Sequence, residues 1–354
     1  MQFYSLQVKD ICQETAQCVS VSFQVPVELT EQFRFKPGQY LTLRHTIDGQ
    51  EVRRSYSICT APHEQDLRVA IKKVPDGVFS TFANTALHTG DTLDCAPPEG
   101  RFALETQPET SRLFVGFAAG SGITPVISIL KSVLNEEPDS RFMLFYGNRG
   151  FDQILFREQL EWLKNKYPNR LSVHHVFSRE SMNNALFQGY LDGEKCAKFG
   201  KVFFAPTEVD QYFLCGPSEM IFAVKESLSG LGVEDKRIKF ELFNTGNLAS
   251  APRKKSTEQA ALDAKITVIQ DGVEYDFNLP SDGSTLLDAA MRAGADLPFS
   301  CKGGVCSTCK AKVLEGQVDM DLNYGLEPDE VAAGYVLTCQ AHPVSDRVVV
   351  SFDA

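Results

Sequence analysis

Hydrophobic and polar positions alternate in short bursts over the first hundred residues of the chain. The run Cys18-Val19-Ser20-Val21-Ser22-Phe23-Gln24-Val25 has a period of two, and similar runs recur at 39–44, 54–59, 67–74 and 91–96. Pro or Gly separates many of them. Such spacing predicts a small antiparallel β-barrel over residues 1–106. The pattern then changes. Leu113-Phe114-Val115-Gly116-Phe117-Ala118 is an unbroken apolar run, as a strand covered on both faces requires. A glycine turn at 120–125 leads into a helical pattern that reaches about Leu134, and a strand is expected at 142–147. Phe156, Leu160, Leu163 and Tyr167 then mark one face of a helix. Strands at 171–177 and 211–214 and a helix near 218–229 complete the alternation. It predicts an α/β doubly wound sheet over 107–246.

Residues 247–264 are polar and small, and read as an interdomain linker. The last segment, 265–354, predicts an α+β domain. Strands at 265–270 and 273–279 flank the hairpin pair Asp271-Gly272, and Ser284 is the expected cap of a helix that stops at Gly294.

The chain's 354 residues suffice for two or three domains, and a hydrophobic fraction of 43% lets each bury a core. No apolar run approaches the length of a membrane span. The start, Met1-Gln2-Phe3-Tyr4, lacks the basic and apolar regions of a secretory signal. Cys12, Cys18, Cys59, Cys95 and Cys196 are therefore expected to be reduced thiols in a cytoplasmic protein. Charge is uneven. From residue 257 onward there are 6 Lys and Arg against 16 Asp and Glu, so this segment carries −10 of the net −11. That excludes a nucleic-acid binder, which needs a basic face. The acidity suits either a basic protein partner or plain solubility.

The acidic segment also carries the clearest chemistry. Cys301, Cys306 and Cys309 are spaced C-x4-C-x2-C, and Cys339 stands alone downstream. Four thiolates in this arrangement suit a [2Fe–2S] cluster, with Gly303 and Gly304 expected to let the backbone wrap it. A structural zinc site in a binding protein is the alternative, although zinc usually takes two close cysteine pairs. Further upstream, Arg54-Ser55-Tyr56-Ser57 ends a strand. Gly77-Val78-Phe79-Ser80 opens a helix, where a phosphate is favoured. Gly120-Ser121-Gly122-Ile123-Thr124-Pro125 joins strand to helix, Ser178-Arg179-Glu180 follows a strand, and Cys215-Gly216-Pro217 closes one.

Together and in this order, these motifs resemble the ferredoxin-NADP reductase superfamily, in the form of the one-chain reductases of bacterial oxygenases. The resemblance covers the whole chain. It implies that Arg54, Tyr56, Ser57, Gly77, Phe79 and Ser80 hold a flavin, Arg54 at a phosphate and Tyr56 against the ring. It implies that Gly120, Gly122, Thr124, Pro125, Cys215, Gly216 and Pro217 hold the nicotinamide nucleotide. Ser57 and Cys215 would stand at the reacting rings, and Glu241 close to the flavin. Ser178 and Arg179 would meet a 2′-phosphate, which favours NADPH over NADH, while Glu180 points the other way. Arg149 would assist at the pyrophosphate. The stretch Ala96-Pro97-Pro98-Glu99-Gly100-Arg101-Phe102 favours FAD, although phthalate-type reductases of the same domain order use FMN. Leu297-Pro298-Phe299-Ser300, Tyr324-Gly325-Leu326-Glu327-Pro328 and Tyr146-Gly147-Asn148-Arg149 closely resemble the reductases of ring-1,2-phenylacetyl-CoA epoxidases. The implied partner is that di-iron epoxidase, with another oxygenase or a hybrid-cluster protein as the alternative acceptor.

Overall fold

A computed structural model describes residues 1–243, 263–281 and 283–354. They fall into two compact units, one ending at Phe243 and one beginning after it.

The first unit opens with strands β1 (Tyr4–Thr15), β2 (Cys18–Gln24), β3 (Tyr40–Ile47), β4 (Gln50–Ser57) and β5 (Leu67–Lys72). Helix α1 (Val78–Thr85) and strand β6 (Thr92–Cys95) follow. The sheet order is β4-β3-β6-β1-β2-β5, and a bridge between Ile58 and Val69 draws its two edges together. The expected barrel is thus present. Its inward positions, among them Leu6, Val8, Val21, Leu41, Leu43 and Ile71, form one core with Phe79 of α1.

The rest of the unit is β7 (Leu113–Ala119), α2 (Ile123–Glu136), β8 (Arg141–Asn148), α3 (Arg157–Lys166) and β9 (Leu171–Phe177). These lead into α4 (Gly193–Val202), β10 (Gln211–Gly216), α5 (Ser218–Gly230) and β11 (Ile238–Leu242). The five strands are parallel in the order β11-β10-β7-β8-β9. Strand order therefore reverses between β7 and β10, and the loops leaving these two neighbours face a single crevice, the usual ligand position in such sheets.

Helix α2 is buried on nearly every side, from Ile123 to Leu134. One side packs on the sheet and the other keys into the barrel. Ser128 Oγ donates to the Thr60 carbonyl at 2.6 Å, and Lys131 Nζ reaches the Cys59 carbonyl at 3.1 Å and Glu64 at 3.0 Å. A lysine stays buried here because acceptors lie within reach of its ammonium. Lys239 adds a second clasp by donating to the Ala103 carbonyl at 2.6 Å.

The second unit begins with β12 (Asp263–Gln270), which starts earlier than the run read from the sequence. The expected linker lies outside the described residues up to 262. β13 (Val273–Pro280), α6 (Leu286–Arg292), β14 (Lys310–Glu315) and β15 (Val318–Met320) follow, then α7 (Pro328–Ala332), β16 (Tyr335–Leu337), β17 (Ala341–Pro343) and β18 (Arg347–Ser351). A mixed sheet, β13-β12-β18-β14-β16, packs on α6 as a β-grasp. The cap of α6 is Thr285, whose hydroxyl accepts from Asp288 N–H at 3.3 Å, and not the expected Ser284. The Ser284 hydroxyl instead accepts from Arg292 at the far end of the helix. Gly294 does stop the chain, at φ +100°.

Candidate functional site

The flavin motif lies where β4 ends and α1 begins. Tyr56 is half-buried, with its ring 5.7 Å from that of Phe79 and tilted by 36°. Burial pushes its phenol well above the usual range, so it stays neutral and presents a ring face. Phe79 itself is fully buried and supports Tyr56 from behind. Arg54 is exposed and donates to the Arg53 carbonyl at 2.7 Å, which leaves the rest of its donor fork to an anion. Gly77 is the N-cap of α1, and no side chain caps the first turn. A Cβ there would lie 2.4 Å from Ser80 Oγ, so only glycine fits. The Ser80 hydroxyl is committed to the turn: it accepts from Val74 N–H and donates to the Gly77 carbonyl, both at 3.2 Å. Asp76 takes φ +56°, a conformation that costs glycine little.

Ser57 is buried at the end of β4, and its hydroxyl donates to Glu241 Oε2 at 2.9 Å. Glu241 lies on β11 in register with Cys215 on β10. The chain thus brings Ser57, Glu241 and Cys215 together from three strands and two domains. Burial raises the Glu241 carboxyl to about 8, with the Ser57 hydrogen bond opposing. It is therefore a proton-bearing group at neutral pH. The Cys215 thiol is wholly buried, and burial and then Glu241 push it well above its ordinary value. It is a packed thiol and not a thiolate.

The nucleotide loop follows β7. Gly120 has φ +53°, and its carbonyl accepts from the Tyr146 hydroxyl at 3.0 Å. Gly122 touches the end of β10 so closely that a Cβ would lie 2.1 Å from the Cys215 carbonyl oxygen. Two motifs far apart in sequence therefore share one backbone contact. Thr124 Oγ1 returns to the Ser121 carbonyl at 3.0 Å, and Pro125 is buried in the first turn of α2. Gly216 and Pro217 lead into α5, with Pro217 as its N-cap. Lys72, at the end of β5, sits beside the loop, 3.6 Å from where a Gly120 Cβ would be. Burial lowers its pKa, Cys18 opposes, and nearby Arg149 lowers it further. Sequence reasoning missed this lysine. Its only signal was a cation ending an apolar strand just before the Gly77 turn. Ser178 and Arg179 sit on the next loop, where their N–H groups donate to the carbonyls of Asn148 at 3.0 Å and Arg149 at 2.9 Å. Asn148 is buried and its Nδ2 has no protein acceptor among the described residues.

The four cysteines of the second unit meet around the loop before β14 and the turn after β16. Gly303 N–H points at Cys301 Sγ at 3.3 Å, and Cys301 N–H at Cys306 Sγ at 3.5 Å. The left-handed residues are Lys302, Gly304 and Ser307, and Gly303 is not among them, contrary to expectation. Gly304 is required for a different reason as well: a Cβ would lie 2.9 Å from the Leu322 carbonyl oxygen. Tyr324 N–H donates to the Gly304 carbonyl at 2.9 Å, and Ser307 Oγ donates to the Gly325 carbonyl. Gln340 ties Lys302 O, at 3.0 Å, to the turn bearing Cys339. The four sulfurs lie close enough to act on one another. The Cys306 thiol and then backbone N–H groups of Gly303, Val305 and Cys306 stabilise a Cys301 thiolate, while Cys309 does the same for Cys339. Among the described residues, no three His, Cys, Asp or Glu side chains converge on one ion position. Four thiols, three from one loop and one from a later turn, are the donor set that a [2Fe–2S] cluster takes.

Comparisons agree with the geometry. Residues 5–104 match the oxidoreductase FAD-binding domain, 117–226 the oxidoreductase NAD-binding domain and 268–344 the 2Fe-2S iron-sulfur cluster binding domain. The chain is 45% identical to a subunit of the 1,2-phenylacetyl-CoA epoxidase of Escherichia coli (strain K12), over 99% of this chain and 98% of that one. It is 37% identical to the ferredoxin reductase component of 3-ketosteroid-9-alpha-monooxygenase from Rhodococcus rhodochrous, over 98% and 96%. Among solved structures, phthalate dioxygenase reductase superposes with a TM-score of 0.62 at 20% identity, covering 99% of this chain and 98% of that one. That likeness shows the shared fold.

Proposed function

Because the chain belongs to the family of oxygenase reductases that join FAD-binding, NAD-binding and [2Fe–2S] domains in one polypeptide, we propose that it carries electrons from NADPH to the epoxidase that acts on phenylacetyl-CoA. The observation that carries this reading is the 45% identity maintained across 99% of the chain, so that no domain is borrowed from elsewhere. No helix of the described residues is long and apolar enough to cross a membrane. We place the protein in the cytoplasm, where its ten unpaired cysteines stay reduced.

When bound, FAD takes two electrons together from the nucleotide and gives them up singly to the [2Fe–2S] cluster. The protein's own groups do the rest. Arg54 and the open N-terminus of α1 neutralise the flavin phosphates. Tyr56 walls one face of the ring. Gly120 to Pro125 and Cys215 to Pro217 admit the nicotinamide end at the crevice between β7 and β10. The Ser57 hydroxyl donates to a proton-bearing Glu241 carboxyl beside the reacting position. Cys301, Cys306, Cys309 and Cys339 hold the two irons.

The test is NADPH oxidation with candidate oxygenase components and their substrates added one at a time. The epoxidase component should stimulate turnover. Stimulation by another oxygenase, with none by the epoxidase, would remove the proposed acceptor and leave the reductase chemistry standing.

Glu241 makes a separate prediction. Its folded-state carboxyl keeps a proton up to about 8, whereas the unfolded chain releases it near 4.5. Between those values the unfolded state binds fewer protons, so folding stability should fall as pH rises. Glu241→Gln removes the titration. Melting temperatures at pH 5, 6.5 and 8 should show the wild type losing ground to the variant, and parallel curves would contradict a raised carboxyl.

A further inference from the structure

An open cleft of about 320 Å³ beside the nucleotide loop is lined by Gln17, Arg149, Asp152, Arg179 and Glu180, together with glycine and amide groups of the 150–153 turn. It is built by both domains of the first unit. Gln17 comes from the β1–β2 hairpin of the barrel, which the Lys73 N–H to Gln17 carbonyl bond fixes at 2.8 Å. Arg149 and Arg179 come from adjacent loops of the parallel sheet, joined by the Arg179 N–H to Arg149 carbonyl bond at 2.9 Å.

The charges in the cleft are not equivalent. Asp152 accepts from the Gln153 amide at 2.9 Å. Glu180 Oε1 accepts from Phe151 N–H at 2.7 Å, and its carboxylate fills the space where a Gly150 Cβ would be, 2.5 Å away. Glu180 therefore serves as the acceptor that shapes the 150–151 turn. One oxygen of the acid that in NADH enzymes meets the ribose 2′-hydroxyl is thereby committed to the turn. Neither arginine has a side-chain acceptor among the described residues. Two guanidinium groups on hydrogen-bonded loops, with an amide across the cleft, form a donor set suited to a dianion.

We propose that Arg149 and Gln17 join Arg179 as a three-sided clamp for the coenzyme 2′-phosphate, so that the flavin barrel itself contributes to choosing NADPH over NADH. This rests on the NADPH reading above. It removes Arg149 from the pyrophosphate and gives the β1–β2 hairpin a direct part in specificity.

The test measures calorimetric binding of 2′,5′-ADP and 5′-ADP to the full-length protein, alongside kcat/KM for NADPH and NADH with a dye acceptor. The wild type should bind 2′,5′-ADP at least about tenfold more tightly than 5′-ADP. Arg149→Ala and Arg179→Ala should each weaken 2′,5′-ADP by about tenfold or more, and Gln17→Ala by about threefold, with changes under about twofold for 5′-ADP. The NADPH to NADH ratio of kcat/KM should fall in parallel. If Arg149→Ala weakens both nucleotides equally, or neither, the clamp is overturned while NADPH use stands. If the wild type binds the two nucleotides equally, the coenzyme reading falls and the clamp with it.

Discussion

Cys306→Ser is expected to remove the cluster's visible absorbance and to cut electron delivery to the oxygenase by about a hundredfold or more. Reduction of a dye directly by the flavin should change little, because the flavin site lies in a separately folded unit. The Cys306 sulfur accepts the Cys301 N–H and is the hydrogen-bond partner of the Cys301 sulfur. Its loss removes one of the four cluster thiols. Serine keeps the size of the side chain but supplies a harder and far less acidic ligand. The measurements are iron content, visible spectrum, dye reduction and acceptor-coupled turnover on one preparation. Equal loss of both activities in a folded, flavin-loaded protein would contradict a relay in which the cluster acts after the flavin.

Gly122→Ala is expected to be the most damaging single methyl group in the nucleotide domain. Its Cβ would sit 2.1 Å from the Cys215 carbonyl oxygen and 2.8 Å from Gly216 N, well inside contact distance. Both clashes are with backbone, so no rotamer change relieves them. Either the loop after β7 or the end of β10 must move. We expect a stability loss on the order of 3 kcal/mol, at the upper end for overpacking. NADPH affinity should drop with it, since both motifs define the crevice. Denaturant unfolding and coenzyme titration check the two effects separately. Gly49→Ala makes the control, because nothing lies within 4 Å of that position, although its φ of +78° carries some strain of its own.

The sequence announced the parts of this molecule whose chemistry demands particular residues. The cysteine spacing, the two glycine turns and the apolar run of β7 all belong to that class. What it hid obeys a different logic. Strand β1 was not legible because register shifts between Val8 and Asp10 and between Gln13 and Thr15 break its alternation. Helix α4 was missed because Cys196 and Phe199 are its only buried side chains, too few to mark a face. The short strands β15, β16 and β17 have three residues each, below any readable period. The helix cap shifted from Ser284 to Thr285 because two adjacent hydroxyls offer the same chemistry, and local sequence does not choose between them. The resemblance put Glu241 near the flavin, while its own sequence neighbours mark it only as a strand-end acid. Its importance comes from Ser57, 184 positions away, and no local pattern encodes that meeting. Lys72 and Gln17 are similar cases, since tertiary folding carries barrel residues to the edge of another domain's ligand crevice.

Helix α2 has a last implication. It carries the coenzyme loop at its first turn, and its later turns plug the seam between barrel and sheet through Ser128 and Lys131. Heat or denaturant that loosens either layer strips the helix of half its surroundings. Yellow colour and coenzyme recognition should therefore disappear in one cooperative step, as when a shared axle is drawn from two wheels.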